Sequence, residues 1–599
     1  MGQLIEYESI PLWEFLAPAL FVDLENLVIV RSKIEALLER EKPDWCAIID
    51  PEEFSSEWAP LFGLLEDPWL FARVFCAESE KRGIPVQRVK PNVWKSWRSR
   101  WLGRLVSLLH RLRVGMWAMW GAARLRSTLA RLAALRVRRR WSKRRPIIFC
   151  SASSYWRKDY DPMARAFTWT DPVCYPVIAE LLARGQGPVL AVDMPYSVRR
   201  GWRETIHRLW AERTVPWSVM DRFFTLRGIV CGLRWARARR SLWNSPSPPM
   251  SSAFRFDGLD LWPALAPRFQ FLAEDYLTGI IGWIEAAHAL VAAWRPRACA
   301  ISYETGPLGR ALIVACRAAG VPTLGLQHGE IGPVNSDYMK RYGPRDLDLL
   351  PDVIAVFDEA TKTLLTTRST YPAERVVVTG CPRFDVLRRT GELFRKEEIL
   401  ARRGLSPERP VVLFCPPRGF ATVDRATIGP YLESLLQARD SLPSVQWVLK
   451  APPGVPKAWY ERALAARGMG DVVVTDEMLY EWMAVSDVVV TAPSTIGLEA
   501  ILMGRPFINL YLDYYPKTQS YAAAGVALDV DTPMGLAGAL ERLLTDEALR
   551  SALGECQDQY RYKNAASHDG WAADRVAETL QSLLSAKLIS MAKVMHEAD

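Results

Sequence analysis

The sequence predicts an α/β protein with two domains, each a parallel β-sheet covered by helices, and a basic helical insertion in the first domain. Two observations predict this class. From Leu290 onward, short aliphatic runs alternate with amphipathic helical patterns, and such uninterrupted runs are typical of parallel strands buried on both faces. In addition, 599 residues are too many for one compact core.

The elements follow in order along the chain. Residues 31–41 are predicted as a helix, and the run after them as a strand ending at Asp50. A strand at Ile147–Cys150 leads into a serine-rich turn, and helix and strand then alternate again. The predicted strands from residue 290 onward share an aliphatic core and are PRACAISYE, VPTLGLQHG, PDVIAVFD, ERVVVTGCP, RPVVLFCPP, VQWVLKAPP, DVVVTD, SDVVVTAP and RPFINLYLD.

Composition limits the class and the compartment. Hydrophobic residues make up 49% and charged residues 24%, which is typical of a folded protein. The ten cysteines include no C-x-x-C pair, which argues against structural zinc and against a disulfide framework. The N-terminus lacks a signal-peptide pattern, and no uncharged apolar run approaches the ~20 residues of a spanning helix. These features predict a cytoplasmic protein.

Residues 93–145 carry most of the excess positive charge. They contain sixteen Lys or Arg and no Asp or Glu, which leaves 60 of the 76 basic residues against 67 acidic residues elsewhere. Arg and Lys alternate with Trp and Leu at helical spacing, a pattern typical of helices that lie in an anionic membrane interface. Nucleic acid is the rival partner, but the apolar stripe favours lipid. A solvated basic hairpin is the plain structural alternative.

The segment SDVVVTAPSTIGLEAILMGRPFINL predicts a strand, a turn and a helix that ends at Gly504. Ser494 or Thr495 can cap this helix, whose N-terminus is suited to an anion such as phosphate. Glu499 lies one turn later on the same face, where a carboxylate suits ribose hydroxyls. The alternative is an ordinary capped helix with a solvated glutamate.

The strand LGLQ ends at His328, and parallel sheets bind ligands at such carboxyl ends. Because imidazole titrates near neutrality, His328 can take a proton from an attacking hydroxyl. Gly329 allows close approach of the backbone to a ligand, and Glu330 can orient the ring or contact the acceptor. Glu304 follows another strand and is a second candidate base, although a glutamate at a helix start is common for electrostatic reasons.

Two cations follow C-terminal strands. Arg418 and Lys450 lie just beyond LFC and VLK, where each can neutralise charge that develops on a departing phosphate. The two D-x-D strings, Asp346–Asp348 and Asp529–Asp531, do not have the context of a metal-bound diphosphate site. One precedes a strand, and the other reads as the start of a helix. No metal site is predicted.

Several of these motifs resemble one superfamily. PSTIGLEAILMGRPFI resembles the donor-site helix of GT-B glycosyltransferases, in which a Ser/Thr turn holds phosphate and a Glu holds ribose. AERVVVTGCPRFDVL, which includes Gly380 as a further point of close backbone approach, is similar to a segment of UDP-N-acetylglucosamine 2-epimerases and capsule polysaccharide transferases. LGLQHGEIG resembles the Gln-His-Gly strand end of surface-polysaccharide transferases and the Trp-His-Gly motif of teichoic acid glycerophosphotransferases. HDGWAADRVAETL is similar to the closing helix of the group.

The resemblance spans about residues 290–585 and implies a GT-B fold, with two Rossmann-like domains around a central cleft. It also implies that TDEMLYEWM, with Glu477, contacts the nucleobase. Relatives commonly carry Lys-x-His-Pro where this chain has Lys450-Ala451-Pro452, which weakens an inference to a CMP-sugar donor. The predicted divisions are residues 1–92 and 146–378 for the N-terminal acceptor-side domain, 93–145 for the membrane-surface insertion, 379–585 for the nucleotide-sugar domain and 586–599 for a tail.

The function expected from these features is glycosyl transfer. A sugar would pass from a nucleotide-sugar donor to a lipid-linked or growing cell-surface glycan, without metal or other cofactor, with inversion, at the inner face of the cell membrane. A CDP-glycerol-type glycerophosphotransferase and a sugar-nucleotide 2-epimerase are alternatives with the same fold. A non-catalytic membrane-associated scaffold is an alternative of another class, and nucleotide binding would discriminate against it.

Overall fold

The structure is a computed structural model that describes most of the chain. The described residues are 6–8, 10–12, 34–49, 68–89, 123–131, 145–195, 214–239, 272–329, 346–369, 371–417, 424–452, 455–492, 494–512, 521–563 and 569–597, with a few single positions between them.

Short strands and one long helix precede the main sheets: β1 (Glu6–Tyr7), β2 (Ile10–Pro11), β3 (Cys46–Ile49), α1 (Pro68–Lys81) and β4 (Val86–Val89). β3 and β4 pair in parallel across α1, as the βα pattern predicts. In the part of the chain that the structure describes, they form a two-stranded ladder of their own. The Tyr7 hydroxyl donates to Glu285 at 2.7 Å, and this contact ties the first strands to the N-terminal domain.

The N-terminal domain contains a seven-stranded parallel sheet and an additional hairpin. Its strands and the short pairs beside them are β5 (Ile147–Ala152), β6 (Arg157–Asp161), β7 (Ala166–Thr170), β8 (Val189–Met194), β9 (Trp217–Val219), β10 (Arg255–Phe256), β11 (Leu259–Asp260), β12 (Ala298–Ile301), β13 (Thr323–Leu326), β14 (Val353–Val356) and β15 (Val376–Val378). The seven-stranded order is β15-β14-β13-β12-β5-β8-β9, which reverses between β5 and β12.

Helices cover both faces of this sheet. They are α2 (Tyr175–Ala183), α3 (Leu226–Ala238), α4 (Leu277–Trp294), α5 (Pro307–Ala318) and α6 (Glu359–Arg368). Among the described residues one stretch, Glu274–Trp294, is long and apolar enough to cross a membrane, and 61% of its most apolar window is buried within the protein. It contributes Ile281, Ile284 and Leu290 to the domain core, so in this fold it is a core helix.

The C-terminal domain repeats the same plan. Its strands are β16 (Val411–Cys415), β17 (Gln446–Lys450), β18 (Val473–Thr475), β19 (Val488–Thr491), β20 (Phe507–Leu510) and β21 (Leu528–Val530), and they are all parallel in the order β18-β17-β16-β19-β20-β21. Its helices are α7 (Thr390–Leu393), α8 (Lys396–Ala401), α9 (Asp424–Ser441), α10 (Lys457–Ala465), α11 (Leu479–Val485), α12 (Thr495–Leu502), α13 (Gly535–Thr545) and α14 (Glu547–Lys563).

A long helix, α15 (Ala572–Glu597), returns to the N-terminal domain. Its residues Val576, Ala577 and Leu580 are buried in the N-terminal core. The Asp385 carboxylate accepts hydrogen bonds from the main-chain N–H groups of Ala572 and Ala573 at 3.0 and 2.9 Å, which fixes the start of the helix. The predicted boundary at residue 585 therefore falls inside one helix.

The predicted α/β class and its two parallel-sheet domains are confirmed, and with the returning helix they form the arrangement that the GT-B resemblance implied. The basic insertion differs from the expectation of a separate surface layer. Residues 123–131 form a helix that places Ala123 and Ala130 in the domain core. Buried Arg126 pairs with buried Asp221 at 3.3 Å, so this part of the segment is structural.

Candidate functional site

Both sheets reverse their strand order once, and the carboxyl ends of the strands beside such a reversal are the usual ligand site of an open α/β sheet. In the N-terminal sheet the reversal lies between β5 and β12. The turn Ser153–Tyr155 follows β5, Ser302 follows β12, and His328 follows the neighbouring β13. The sequence-predicted base therefore lies one strand from the reversal.

His328 is held between two aromatic rings. The centroid of its ring is 5.6 Å from that of Tyr155 and 5.1 Å from that of Tyr303, which meets it edge-on. Burial lowers the pKa of His328 to about 4, against a smaller opposite effect of a hydrogen bond with the Ser302 main chain. The imidazole is therefore neutral at physiological pH.

The orientation of the ring leaves one nitrogen for chemistry. Nδ1 of His328 is buried and has no hydrogen-bond partner among the described residues, whereas the residue as a whole is partly exposed. The nitrogen that an acceptor hydroxyl reaches is therefore Nε2. When the ring proton is on Nδ1, the Nε2 lone pair is free to accept another.

The side chain of Gln327, the residue before His328, bonds to the main chain at two points. Its side-chain amide donates to the Gly329 carbonyl at 2.9 Å, and its side-chain oxygen accepts from the Phe357 N–H at 2.7 Å. These bonds tie the end of β13 to β14 and fix the loop that carries His328. A Cβ added at Gly329 would meet no atom within 4 Å, so protein packing does not require this glycine. By contrast, Gly380 has a φ of 86°, which favours glycine for backbone reasons.

Glu304 is fully buried and contacts its own domain. Its carboxylate accepts from the Tyr338 hydroxyl at 2.7 Å, and burial raises its pKa to about 7. A Cβ at Gly309 would lie 2.8 Å from the Glu304 Cα, so the loop packs directly on the start of α5. These contacts give Glu304 a structural role, and its use as a base stays a prediction. Glu330 and Arg418 lie outside the described residues.

In the C-terminal sheet the reversal lies between β16 and β19, and the predicted phosphate turn follows β19. Ser494 is the N-cap of α12, and its hydroxyl oxygen accepts from the Ile496 N–H at 3.3 Å. The Thr491 and Ser494 hydroxyl oxygens are 3.1 Å apart. Thr495 is the first helical residue. The structure thus assigns the cap to Ser494, and the N–H groups of the first turn lie at the carboxyl edge of the sheet.

Glu499 is fully buried one turn into α12 and forms an ion pair with Arg383. The Arg383 guanidinium also lies 3.8 Å from Asp159 of β6 and over the rings of Phe384 and Tyr480. Burial raises the pKa of Glu499, while Arg383 and then Arg157 lower it. Oε2 of Glu499 has no hydrogen-bond partner among the described residues, so one oxygen of the predicted ribose ligand is uncommitted.

The other donor-side candidates surround this helix start. Lys450 ends β17 and donates from Nζ to the Ala451 carbonyl at 2.9 Å, and burial lowers its pKa. Glu477 follows β18 and pairs with Arg403, while its N–H donates to the Thr475 hydroxyl at 3.1 Å. Glu477 therefore has a protein partner in this structure, and its contact with a nucleobase stays a prediction.

A hairpin that the sequence analysis missed connects the two halves. β6 and β7 pair antiparallel just after the β5 turn, and Phe167 stacks on Phe394 of the C-terminal domain with centroids 5.1 Å apart. The hairpin brings Arg157 and Asp159 to the donor side. The signal was present in WRKDYDPMARAFTWT, where polar and aromatic residues alternate on both sides of a turn. Arg383 was not predicted as a site residue either, although it lies in the segment AERVVVTGCPRFDVL that carries part of the family resemblance.

Metal ligands are absent from the part of the molecule that is described: no group of three His, Cys, Asp or Glu is placed to hold an ion there. Asp346 and Asp348 lie in a short 3₁₀ helix, and Asp529 lies in β21. The Thr532 hydroxyl accepts from the Gly535 N–H at 3.2 Å, and α13 begins at Gly535, a few residues after the predicted start.

The strand ends of the N-terminal sheet carry a neutral imidazole, and those of the C-terminal sheet carry a capped helix start and Lys450. Such an arrangement can accept a proton on one side and stabilise an anionic leaving group on the other.

Comparison with known proteins gives a partial match. No family model matches the chain. It is 36% identical over 117 residues to the lipid-A-disaccharide synthases of Geobacter sulfurreducens and Geobacter metallireducens, which covers 19% of this chain and 30% of each relative. The match to the synthase of Alkalilimnicola ehrlichii is 35% over 138 residues, covering 20% of this chain and 36% of that protein. The chain thus spans about a third of the length of the curated relatives it matches.

Solved structures show low overall similarity. The UDP-GlcNAc 2-epimerase from Neisseria meningitidis bound to UDP-GlcNAc is 14% identical, with a TM-score of 0.45 over 73% of this chain and 99% of that one. The wall teichoic acid polymerase TagF is 12% identical, with a TM-score of 0.43 over 74% and 90%. Sucrose-phosphate synthase from Thermosynechococcus elongatus is 16% identical, with a TM-score of 0.43 over 74% and 100%.

Proposed function

We propose that this protein is a glycosyltransferase that moves a sugar from a nucleotide-sugar donor to a lipid-linked or growing cell-surface glycan. The observation that carries the proposal is the pairing of two strand-order reversals, one with neutral His328 and the other with the Ser494-capped helix and Lys450. The name of the matched relatives, lipid-A-disaccharide synthase, supports a sugar acceptor attached to lipid.

The mechanism follows from the division of charge. Nε2 of His328 takes the proton of the acceptor hydroxyl as that oxygen attacks the anomeric carbon. The bond from this carbon to the donor phosphate breaks, and the negative charge that develops there is stabilised by the α12 start, Lys450 and the sequence-predicted Arg418. Because one base on the acceptor side implies direct displacement, the product has inverted configuration.

A metal is not part of the proposed step. The charge stabilisation that a cation supplies in metal-dependent transferases would come from the helix start and from the basic side chains.

The proposed place of action is the cytoplasmic face of an anionic membrane. Its basis is the sequence of residues 93–119, in which Arg, Lys, Trp and Leu alternate, because residues 123–131 serve the fold. We expect the full chain to sediment with anionic vesicles, and less so at high salt, since surface attraction is screened over ~8 Å at physiological salt. A variant with residues 93–119 replaced by a flexible linker should fold and stay in the supernatant. Unchanged sedimentation of that variant would place the attachment elsewhere.

The central experiment is a thermal-shift panel with CMP, UDP, GDP and CDP, followed by product analysis with the nucleotide that stabilises the protein. Ligand binding raises the melting temperature by mass action. Glycosyl transfer with the sugar nucleotide should release the free nucleotide and leave no phosphate from the donor on the acceptor. Donor phosphate on the acceptor would identify the CDP-glycerol type of reaction instead, and a panel without any shift would refute the proposal.

A further inference from the structure

Arg157 lies at the point where the two halves of the site meet. It is the first residue of β6, two positions after Tyr155, whose ring contacts His328. β6 belongs to the N-terminal domain, but its hairpin packs on the C-terminal domain through Phe167 and Phe394. The chain therefore carries this guanidinium from the acceptor side toward the donor side.

An ionic relay holds the Arg157 side chain in place. Its Nε donates to Asp159 at 3.4 Å, Asp159 lies 3.8 Å from Arg383, and Arg383 pairs with Glu499 of α12. Asp159 is itself fixed, because its carboxylate accepts from the Tyr160 N–H at 2.9 Å. The Nη groups of Arg157 donate to no residue that the structure describes, and 34% of the side chain is exposed. The guanidinium is thus oriented by one edge and open at the other.

The charges around Arg157 indicate what the open edge faces. Burial lowers the pKa of Lys450, and the proximity of Arg157 lowers it further. Arg157 also stabilises the charged form of buried Glu499, after Arg383. Arg157 of one domain therefore lies within electrostatic reach of Lys450 and of Glu499 in α12 of the other. A bound anion would relieve the mutual repulsion of the two cations.

A phosphate group has the required chemistry. A guanidinium presents parallel N–H donors that match two oxygens of a phosphate, and such charge-assisted bonds are stronger than neutral ones. We propose that Arg157 is a donor-phosphate ligand supplied by the N-terminal domain, which joins Lys450 and the start of α12 around the diphosphate of the nucleotide donor. The assignment rests on the proposed function and adds a residue from the opposite domain to its donor site.

Arg157 would then couple donor binding to the position of the hairpin. A diphosphate held by Lys450 and α12 on one side and by Arg157 on the other links the domains directly. The Asp159–Arg383–Glu499 relay connects the same hairpin to the predicted ribose contact. Residues of both domains would therefore bind the donor.

The test compares a nucleoside diphosphate with its nucleoside, using the base that the nucleotide panel selects. Dissociation constants are measured for the full chain and for Arg157→Gln, with Lys158→Gln as the matched control because Lys158 is the exposed neighbour on the other face of β6. Arg157→Gln should weaken the diphosphate about 10- to 100-fold and leave the nucleoside unchanged. Lys158→Gln should change neither. Arg157→Lys keeps the charge but lacks the parallel N–H donors, so its diphosphate affinity should lie between those of wild type and Arg157→Gln. It also serves as the second variant if Arg157→Gln does not fold.

Unchanged diphosphate affinity in folded Arg157→Gln would overturn the assignment and leave the proposed function intact. An equal loss for nucleoside and diphosphate would also overturn it, since that pattern indicates a displaced hairpin and not a lost phosphate contact. A higher KM for the acceptor with normal donor affinity would assign Arg157 to an acceptor phosphate and overturn it as well. If the wild-type chain binds no nucleotide, the proposed function and this assignment both fail.

Discussion

The two strand-order reversals have the same topology and opposite chemistry. At the N-terminal one, aromatic rings and burial keep His328 neutral. At the C-terminal one, a capped helix start, Lys450 and the Arg383–Glu499 pair concentrate charge. Desolvation without a counter-ion favours a neutral base, and fixed cations with helix N–H groups favour an anion. The comparison teaches that the shared sheet order sets where a ligand binds, while the side chains beyond the strands set what each half does.

The largest expected effect comes from replacing His328, the neutral base at the N-terminal reversal. His328→Ala should lower turnover by ~10²–10⁴ because a general base is lost, while nucleotide affinity at the other reversal stays nearly unchanged. Steady-state kinetics and calorimetric titration measure the two quantities separately. His288→Ala is the control, since His288 lines a separate groove with Arg145 and Arg295. Activity within a few-fold of wild type would move the base to another residue, with Glu304 and Glu330 next in line.

The next effect concerns the support of the N-terminal reversal. Arg126 pairs with buried Asp221 and approaches the Ser153 hydroxyl in the turn after β5. Arg126→Ala should lower the free energy of unfolding by about 3–5 kcal/mol, because it leaves a carboxylate buried without its cation. Burial raises the pKa of Asp221 to about 6, so the cost should shrink as the pH falls below 6. Urea unfolding against exposed Arg131→Ala on the same helix tests this, and equal stabilities would refute a structural role for residues 123–131.

A third experiment tests Glu499 at the charged C-terminal reversal. Glu499→Gln keeps the volume and a contact to Arg383, and should weaken nucleotide binding by about 1–3 kcal/mol if the carboxylate binds ribose. The decisive comparison uses the matching 2′- and 3′-deoxynucleotides. Wild type should bind at least one of them less well than the ribonucleotide, and Glu499→Gln should lose that discrimination. If the variant discriminates as wild type does, Glu499 only positions Arg383.

A further effect is a pH dependence of stability with opposite signs at two residues. An unfolded histidine binds a proton near pH 6.5, and folded His328 binds it near 4. The unfolded state therefore binds more protons between these values, and the His328 contribution falls as the pH drops from 6.5 to 4, by up to about 1.4 kcal/mol per pH unit. Glu304 has a pKa raised from 4.5 to about 7, so its contribution is lost as the pH rises through 7.

Urea unfolding of His328→Gln and Glu304→Gln across pH 4–8 separates these contributions. The histidine variant should show a shallower loss of stability below pH 6.5, and the glutamate variant a shallower loss above pH 4.5. Identical pH profiles for wild type and both variants would mean that folding does not shift the pKa of either group.

The fold was predictable because its signals are local. Each aliphatic run such as Val488–Thr491 and each cap such as Ser494 is recognised within a few residues. The position of His328 followed from the strand before it. The relay of Asp159, Arg383 and Glu499 was not predictable, because its members come from separate domains and meet only in the folded chain. Residues 123–131 were assigned to the surface insertion for the same reason, since Asp221, the partner of Arg126, lies far along the sequence.

The returning helix α15 imposes an order on how the protein is made. Val576, Ala577 and Leu580 cover N-terminal core residues such as Ile178. On the ribosome this helix emerges only after every strand of the C-terminal sheet. Domains generally fold as units during synthesis, first domain first. Here the first domain cannot finish until the second has been translated, so the nascent chain carries an uncovered apolar surface throughout that interval, and the two domains mature together.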